Sequence, residues 1–253
     1  MAVSYGQIVT TLREEIVSGL YAAAVPPGAD LAARFGVSES TINRALSQLR
    51  SEGLVRTQQG RGTMVNPVPV IRRDAVGRQR AGTRESGGSR GAFDAELRAA
   101  GLDPRTDVEV GRAVPTKSVA QLLDIPEGTE AVYRKRHMFA GDWPVQVATS
   151  WIPADLADGT PIAERDTGPG GIYSRLSDLG HAPAEFTEEV RVRVPGDEEV
   201  TTLRIDPDHR VYTITRVAAD RAGRVVEVNT IVLPTHQWTL TYTWQAEGPR
   251  EAP

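Results

Sequence analysis

The sequence predicts an α+β protein in two unequal parts: a small helical head closed by a hairpin, and a larger, mainly antiparallel sheet with helices. Three observations lead there. Apolar residues recur at helical spacing through the first 66 positions. From Phe93 onward, alternating strands recur around glycine turns. Between them, residues 67–92 are rich in Arg, Gly and Pro and poor in apolar side chains, as in a linker. The expected units are therefore 1–66, a linker 67–92, a second domain 93–246 and a frayed tail 247–253.

Composition narrows the class. The 253 residues suffice for one large or two smaller domains, and 40% hydrophobic with 25% charged residues is the ordinary globular range. The absence of cysteine excludes a disulfide scaffold, a zinc–thiolate site and a thiol nucleophile. No apolar run approaches the roughly 18 residues of a membrane span. Met1 to Gln7 lacks the basic-then-apolar pattern of a secretory signal, so a cytoplasmic protein without membrane contact is expected. The net charge of −4 is unevenly spread: about +1 over 1–66, about +4 over 67–92 and about −9 over the rest. A neutral-to-basic front and an acidic rear suggest two jobs on one chain.

In the head, Ile8, Leu12 and Ile16 make one apolar stripe that stops near Gly19. Leu31, Ala32 and Phe35 make a second short face, followed by a Gly36-Val37 turn. Ser38 caps a third helix that buries Ile42, Ala45, Leu46 and Leu49 and ends at Gly53. Leu54 to Thr57 and Gly62 to Val65 then form two short strands around a turn holding Gly60 and Arg61. This is the order of a winged helix-turn-helix. The start of the third helix offers free N–H groups and hydroxyls of Ser38, Ser40 and Thr41 to phosphate, and Arg61 is a cation on a flexible wing tip. The competing reading is a helical domain that merely packs on the rest; agreement of turn chemistry, wing and order favours DNA.

Residues 5–65 resemble the DNA-binding domain of the GntR family of bacterial regulators. The matching stretches are Tyr5 to Ile8, Leu12 to Ile16, Ser18-Gly19, Leu31 to Ser38, Thr41 to Leu46, Leu49 to Leu54 and Gly60 to Val65. Val25-Pro26-Pro27-Gly28-Ala29 departs from the family's Leu-Pro-Ser-Glu-Arg-like segment, and Ala29, Glu39 and Asn43 stand where the family often has Arg. Glu39 suits a cytosine amino group or simply the helix dipole, Asn43 suits adenine, and Arg44 is available for a phosphate or a base. The operator of a relative is thus not transferable. The resemblance implies DNA contact by Ser38, Glu39, Ser40, Thr41, Asn43, Arg44, Gly60 and Arg61. The arginine cluster of the linker, with Arg72 and Arg73, offers further DNA contacts.

The second part contains an internal repeat. Leu123 to Gly128 parallels Leu203 to Asp208, Val132 to Met138 parallels Tyr212 to Ala218, and Pro144 to Pro153 parallels Val225 to Pro234. Two such helix-plus-hairpin units predict one antiparallel sheet with helices on one side. An entry helix carries Phe93 and Leu97, and Val190, Val192 and Val194 add a strand. Trp238, Leu240, Tyr242 and Trp244 alternate on one face of a last strand, expected as sheet core. Glu188, Glu189, Glu198 and Glu199 read as exposed faces or helix starts.

Roughly Phe93 to Trp244 resembles the UTRA ligand-sensing domain, of chorismate-lyase-like fold, and the whole chain resembles the HutC-type branch of the GntR family. That resemblance implies a small-molecule effector, phosphorylated or carboxylated, held between the repeats. Arg134 and Arg136 share a strand face and match the family's Arg-x-Arg anion clamp; the plainer reading is a solvated edge. Glu227 matches a family position that meets the ligand's polar part, and Gln146 is its counterpart in the first repeat. Phe93 lies where family backbone meets phosphate, and Tyr173 and Trp151 are candidates to line the pocket. Thr235 to Trp238 replaces a Gly-Asp-Arg-Tyr-like family stretch, which weakens a sugar ligand.

No histidine pair has metal-ligand spacing, and neither a Gly-x-Ser-x-Gly elbow nor a phosphate loop occurs, so no metal, cofactor or catalysis is expected. The expectation is a ligand-responsive repressor that binds double-stranded DNA at a partly palindromic operator as a homodimer. Two alternatives stay open: a repressor of a mobile element or antibiotic-type cluster with a non-sugar effector or none, and a chorismate-lyase-like enzyme.

Overall fold

The structure, a computed structural model, describes residues 3–58, 60–66, 69–80, 82 and 89–245. The tail 247–253 and part of the linker lie outside them.

The head is built from α1 (Tyr5–Val17), α2 (Gly28–Phe35) and α3 (Glu39–Ser51), then strands β1 (Val55–Gln58) and β2 (Gly62–Val65). Ser4 and Gln7 cap α1 reciprocally, and Gly36 ends α2 in the left-handed conformation that an L side chain resists. The Ser38 side chain accepts from the Thr41 amide at the start of α3. Ile8, Leu12, Ile16, Leu31, Ile42 and Leu49 close one core, each at most 6% exposed. Arg13 grips Glu52 through two hydrogen bonds of 2.9 and 2.8 Å, tying α1 to the end of α3. The wing is antiparallel, Val55 opposite Val65, and Ala24 bridges to Met64 as a third edge.

Strand β3 (Ile71–Asp74) lies inside the span expected to be a linker. It pairs in parallel with β10 (Trp238–Thr241), Ile71 beside Trp238. Ile71 and Trp238 are buried, so this part of the span is fastened to the second domain by apolar burial as well as by backbone bonds. Arg73 is wholly buried and bonds Glu188 through Nη1 and Nη2, which removes it from DNA and removes Glu188 from the exposed face expected for it. The expected core strand through Trp244 stops at Thr241, because β3 offers no partner beyond Asp74; Tyr242 is 40% and Trp244 75% exposed.

The larger domain runs α4 (Ala92–Ala99), β4 (Pro104–Ala113), α5 (Lys117–Leu123), β5 (Ala131–Ala140) and β6 (Trp143–Pro153), then a short α6 (Ala154–Ala157). The same pattern returns as α7 (Gly171–Asp178), β7 (Pro183–Arg193), α8 (Asp197–Leu203), β8 (Val211–Asp220) and β9 (Val225–Pro234). The sheet order β4-β5-β6-β9-β8-β7 is symmetric about the β6–β9 pair. The repeat reaches backbone detail. Asp124 and Arg204 end α5 and α8 with φ of 55° and 52°, the positive-φ non-glycine residues among those described. The helices take both sides of the sheet, not one. Leu123 of α5 packs with Val228 and Trp151, whereas Phe93 and Leu97 of α4 pack with Met138, Ala148 and Ile231 on the opposite face.

Head and second domain touch at the end of α3. His209 Nε2 lies 2.9 Å from the Arg50 carbonyl oxygen, and the His209 and His236 rings are 4.3 Å apart. Arg56 lies 4.3 Å over the Trp143 ring.

Candidate functional site

The face of α3 that points away from the head's core carries Ser38, Glu39, Ser40, Asn43 and Arg44, all exposed, with Thr41 half-buried. Ser38 Oγ lies 2.8 Å from Ser40 Oγ and 3.0 Å from Thr41 Oγ1, a hydroxyl cluster on the helix N-terminus. The Arg44 guanidinium lies 4.9 Å over the Tyr5 ring, so it is presented and not wandering. Gly60 and Gly62 adopt φ of 76° and 82° around an exposed Arg61 at the wing tip. Seven of the eight residues expected to meet DNA are thus exposed and Thr41 is half-buried, and the contact with the second domain uses the other end of α3.

The second site is a cavity of about 460 Å³ between the sheet and the elements that cover it, α4, α7 and the turn Gly77–Gln79. All six residues expected to hold a ligand line it: Phe93, Arg134, Arg136, Gln146, Tyr173 and Glu227. Trp151 does not; it packs against α5 on the other face. The pairing register explains the convergence. Arg134, Ser150, Asn229, Arg216 and Glu188 stand opposite one another on successive strands, a polar row straight across the sheet.

At its centre Glu227 is fully buried. It accepts from the Ser150 hydroxyl, from the Tyr173 hydroxyl, and from Arg216 Nη2 at 3.4 Å. Burial first, and then Glu227 against the opposing charge of Arg216, moves the Tyr173 phenol well above its ordinary range, so it stays protonated and donates. Full burial works against the Arg216 charge, but Tyr173, Glu227 and Glu188 outweigh it and raise its pKa. Arg216 remains a cation.

The two arginines of the expected clamp part company. Arg134 donates to the carbonyl oxygens of Ile162 at 2.6 Å, Glu164, and Arg165 at 3.0 Å, and so holds the loop after α6. Burial, and then the nearby Arg136, pushes its pKa down to about 10. Arg136 donates 2.6 Å to Ser150 Oγ and leaves a buried Nε without a partner. The convergent pair on the floor is instead Arg136 with Arg216, which occupy equivalent places in the two repeats, as do Gln146 and Glu227. Gln146 Oε1 and Asn229 Oδ1 are buried acceptors without partners. Among the described residues, seven arginines and three carboxylates line the cavity, so its field favours an anion. Sequence reasoning missed Arg216, although the repeat carried the signal, and Arg78, for which no signal existed.

A winged head presenting hydroxyls and cations, joined to a domain enclosing an arginine-rich cavity, defines a DNA-binding regulator with an effector domain. Residues 4–65 match the bacterial regulatory proteins of the gntR family, and residues 99–238 match the UTRA domain. The chain belongs to the GntR family of transcriptional regulators, with the GntR–UTRA (HutC-like) architecture. The HTH-type transcriptional regulator SCO4628 of Streptomyces coelicolor is 31% identical over 235 residues, spanning 89% of this chain and 87% of that one. The HTH-type transcriptional repressor NagR of Bacillus subtilis is 27% identical over 229 residues, spanning 88% and 87%. A GntR-family transcriptional regulator of known crystal structure matches with a TM-score of 0.60 at 27% identity, over 96% of this chain and 98% of that one. PhnF from Mycobacterium smegmatis shares the fold, with a TM-score of 0.60 at 20% identity over 95% and 100%. These relatives are regulators and not enzymes, and the same holds here. No helix among the described residues is long and apolar enough to cross a membrane.

Proposed function

We propose that the protein is a cytoplasmic repressor that binds a partly palindromic operator as a homodimer and leaves it when a small phosphorylated or carboxylated metabolite enters the cavity. The observation that carries this is a partly enclosed cavity with an excess of arginines, several with buried N–H groups that no other described residue answers. Buried donors of that kind are costly unless a ligand satisfies them. The volume of about 460 Å³ suits a small metabolite. In this reading Arg136, Arg216 and the backbone near Phe93 hold the anion. Glu227, Gln146 and Tyr173 meet its polar body, and Arg134 shapes the wall.

At the head, α3 enters the major groove. Ser38, Ser40, Thr41, Arg44 and the wing residues Gly60 and Arg61 meet backbone or minor groove, while Glu39 and Asn43 meet base edges. Two-fold protein symmetry asks for half-sites about one helical turn apart. The 27% identical NagR, a repressor by name, favours repression over activation. The ligand acts only through its difference in affinity for the two arrangements of head and body.

The test is a shift assay and footprint on DNA upstream of the protein's own gene, titrated with phosphorylated and carboxylated metabolites. A sharp footprint on a partial palindrome, lost with one of these compounds, is the expected result. A footprint that no anion disturbs would refute the effector reading.

A further inference from the structure

We propose that Arg78, on the segment that leaves the DNA-binding head, is a further anion-binding residue of the cavity and holds an acidic group of the effector together with Arg216. This rests on the reading of the cavity as the effector site and adds a contact that no motif indicated.

The argument begins with two arginines on one segment. Arg73 and Arg78 are both buried, but Arg73 keeps only its Nε unpartnered, since its Nη1 and Nη2 meet the two carboxylate oxygens of Glu188. Arg78 lines the cavity, with 6% of its side chain exposed. Its Nε and Nη1 make no hydrogen bond among the described residues, and its Nη2 reaches only to 3.4 Å from Glu96 Oε2. Both Glu96 oxygens are likewise buried without a hydrogen bond. The two charges have lost their water and gained a loose partner, the arrangement in which desolvation outweighs attraction.

The surroundings call for an anion. Burial lowers the Arg78 pKa to about 10; Glu96 works against this, while the charges of Arg73 and Arg216 act in the same direction as burial. Arg78 is still a cation near neutrality, with two other cations close by. Arg216 has its own unpartnered Nε and only a 3.4 Å contact to Glu227. A carboxylate or phosphate between Arg78 and Arg216 would receive charge-assisted hydrogen bonds from both and displace Glu96 as the neighbour of Arg78. The ligand would then bear directly on the chain that connects cavity to head, which makes occupancy legible to the head without a long relay.

Inorganic phosphate is the probe, titrated by calorimetry into the full-length protein at fixed ionic strength. Arg78→Met is expected to weaken phosphate binding about tenfold or more, close to 1.4 kcal/mol. Glu96→Gln keeps Arg78 and removes its competitor, so it is expected to tighten binding severalfold. A purely structural Arg78–Glu96 pair predicts no gain there, and this variant decides the matter even if Arg78→Met fails to fold. Unchanged binding in Arg78→Met beside a loss in Arg136→Met would overturn the Arg78 subsite and leave the cavity reading standing. Unchanged or weaker binding in Glu96→Gln would overturn the subsite as well. No saturable phosphate binding by the unaltered protein would overturn both.

Discussion

Replacing Gly53 with alanine should detach the head from the second domain without unfolding either. Gly53 follows α3 with φ of 74°, and the Leu54 amide donates 3.0 Å to the Leu49 carbonyl, closing the helix end. A side chain in that left-handed conformation costs about 1–2 kcal/mol, which the head core can absorb. The neighbour is the larger obstacle. A Cβ on Gly53 would lie 2.1 Å from His236 Cβ and 2.3 Å from its Cγ. Because His236 Cβ is fixed to the backbone, no rotamer of His236 relieves the clash. What holds the contact is modest: the His209–Arg50 hydrogen bond at about 0.5–1.5 kcal/mol, Arg56 over Trp143 at about 0.5–1 kcal/mol, and a loose, half-exposed Arg50–Asp206 ion pair at 3.9 Å. Small-angle scattering should therefore report an expanded particle, and hydrogen exchange should rise at the end of α3 and around His209. DNA affinity should persist, since the exposed end of α3 is untouched, while any response to the effector should fall. Trimming His236 to alanine keeps the offending Cβ and should not restore docking to the Gly53→Ala protein; trimming it to glycine should. Unaltered scattering and exchange in Gly53→Ala, or equal rescue by both trims, would refute the reasoning.

Three further outcomes are expected. His236 is pushed down to about 3, by burial first and by His209 second, from the ordinary 6.5. Between those values the unfolded chain binds the extra proton, so stability present above about pH 6.5 is lost progressively toward pH 3; thermal melts from pH 7 to 5 should show it, less steeply in His236→Asn, and an equal slope in the variant would count against it. Glu227→Ala leaves Arg216 buried and without its carboxylate, which should cost the effector domain about 3–5 kcal/mol by denaturant titration, with Glu227→Gln milder; a loss under about 1 kcal/mol in the alanine variant would contradict the network described. Arg61→Ala should weaken binding to every DNA sequence and flatten the salt dependence by about one unit of slope, and a shift assay unchanged at all salt levels would remove Arg61 from the interface.

Much of this architecture was legible because local chemistry and global fold agree. The Ser38 cap, the apolar stripe from Ile42 to Leu49 and the Gly60–Gly62 turn are each readable within a few residues. The repeat fixed which strands sit beside which, and so brought Arg136, Gln146 and Glu227 to one cavity. What stayed hidden depends on partners far along the chain. Arg73 sits in a span whose composition reads as solvated, and only Glu188, 115 residues on, makes its burial tolerable. Arg78 and the His209–His236 contact have no periodicity to betray them. Tyr242 and Trp244 show the opposite failure: alternation continues past Thr241, but a strand needs a partner, and β3 has ended.

The pairing of β3 with β10 also orders events in time. Arg72 and Thr241, joined by a 3.1 Å hydrogen bond, are 169 residues apart. During synthesis the head can close its own core long before Trp238–Thr241 leaves the ribosome, because every residue of that core precedes Asn66. Until then, the segment holding Arg73 and Arg78 has no strand to lie against. The nascent protein is therefore a DNA-binding head on a loose tether, and its subordination to the cavity begins only with the last strand to be made.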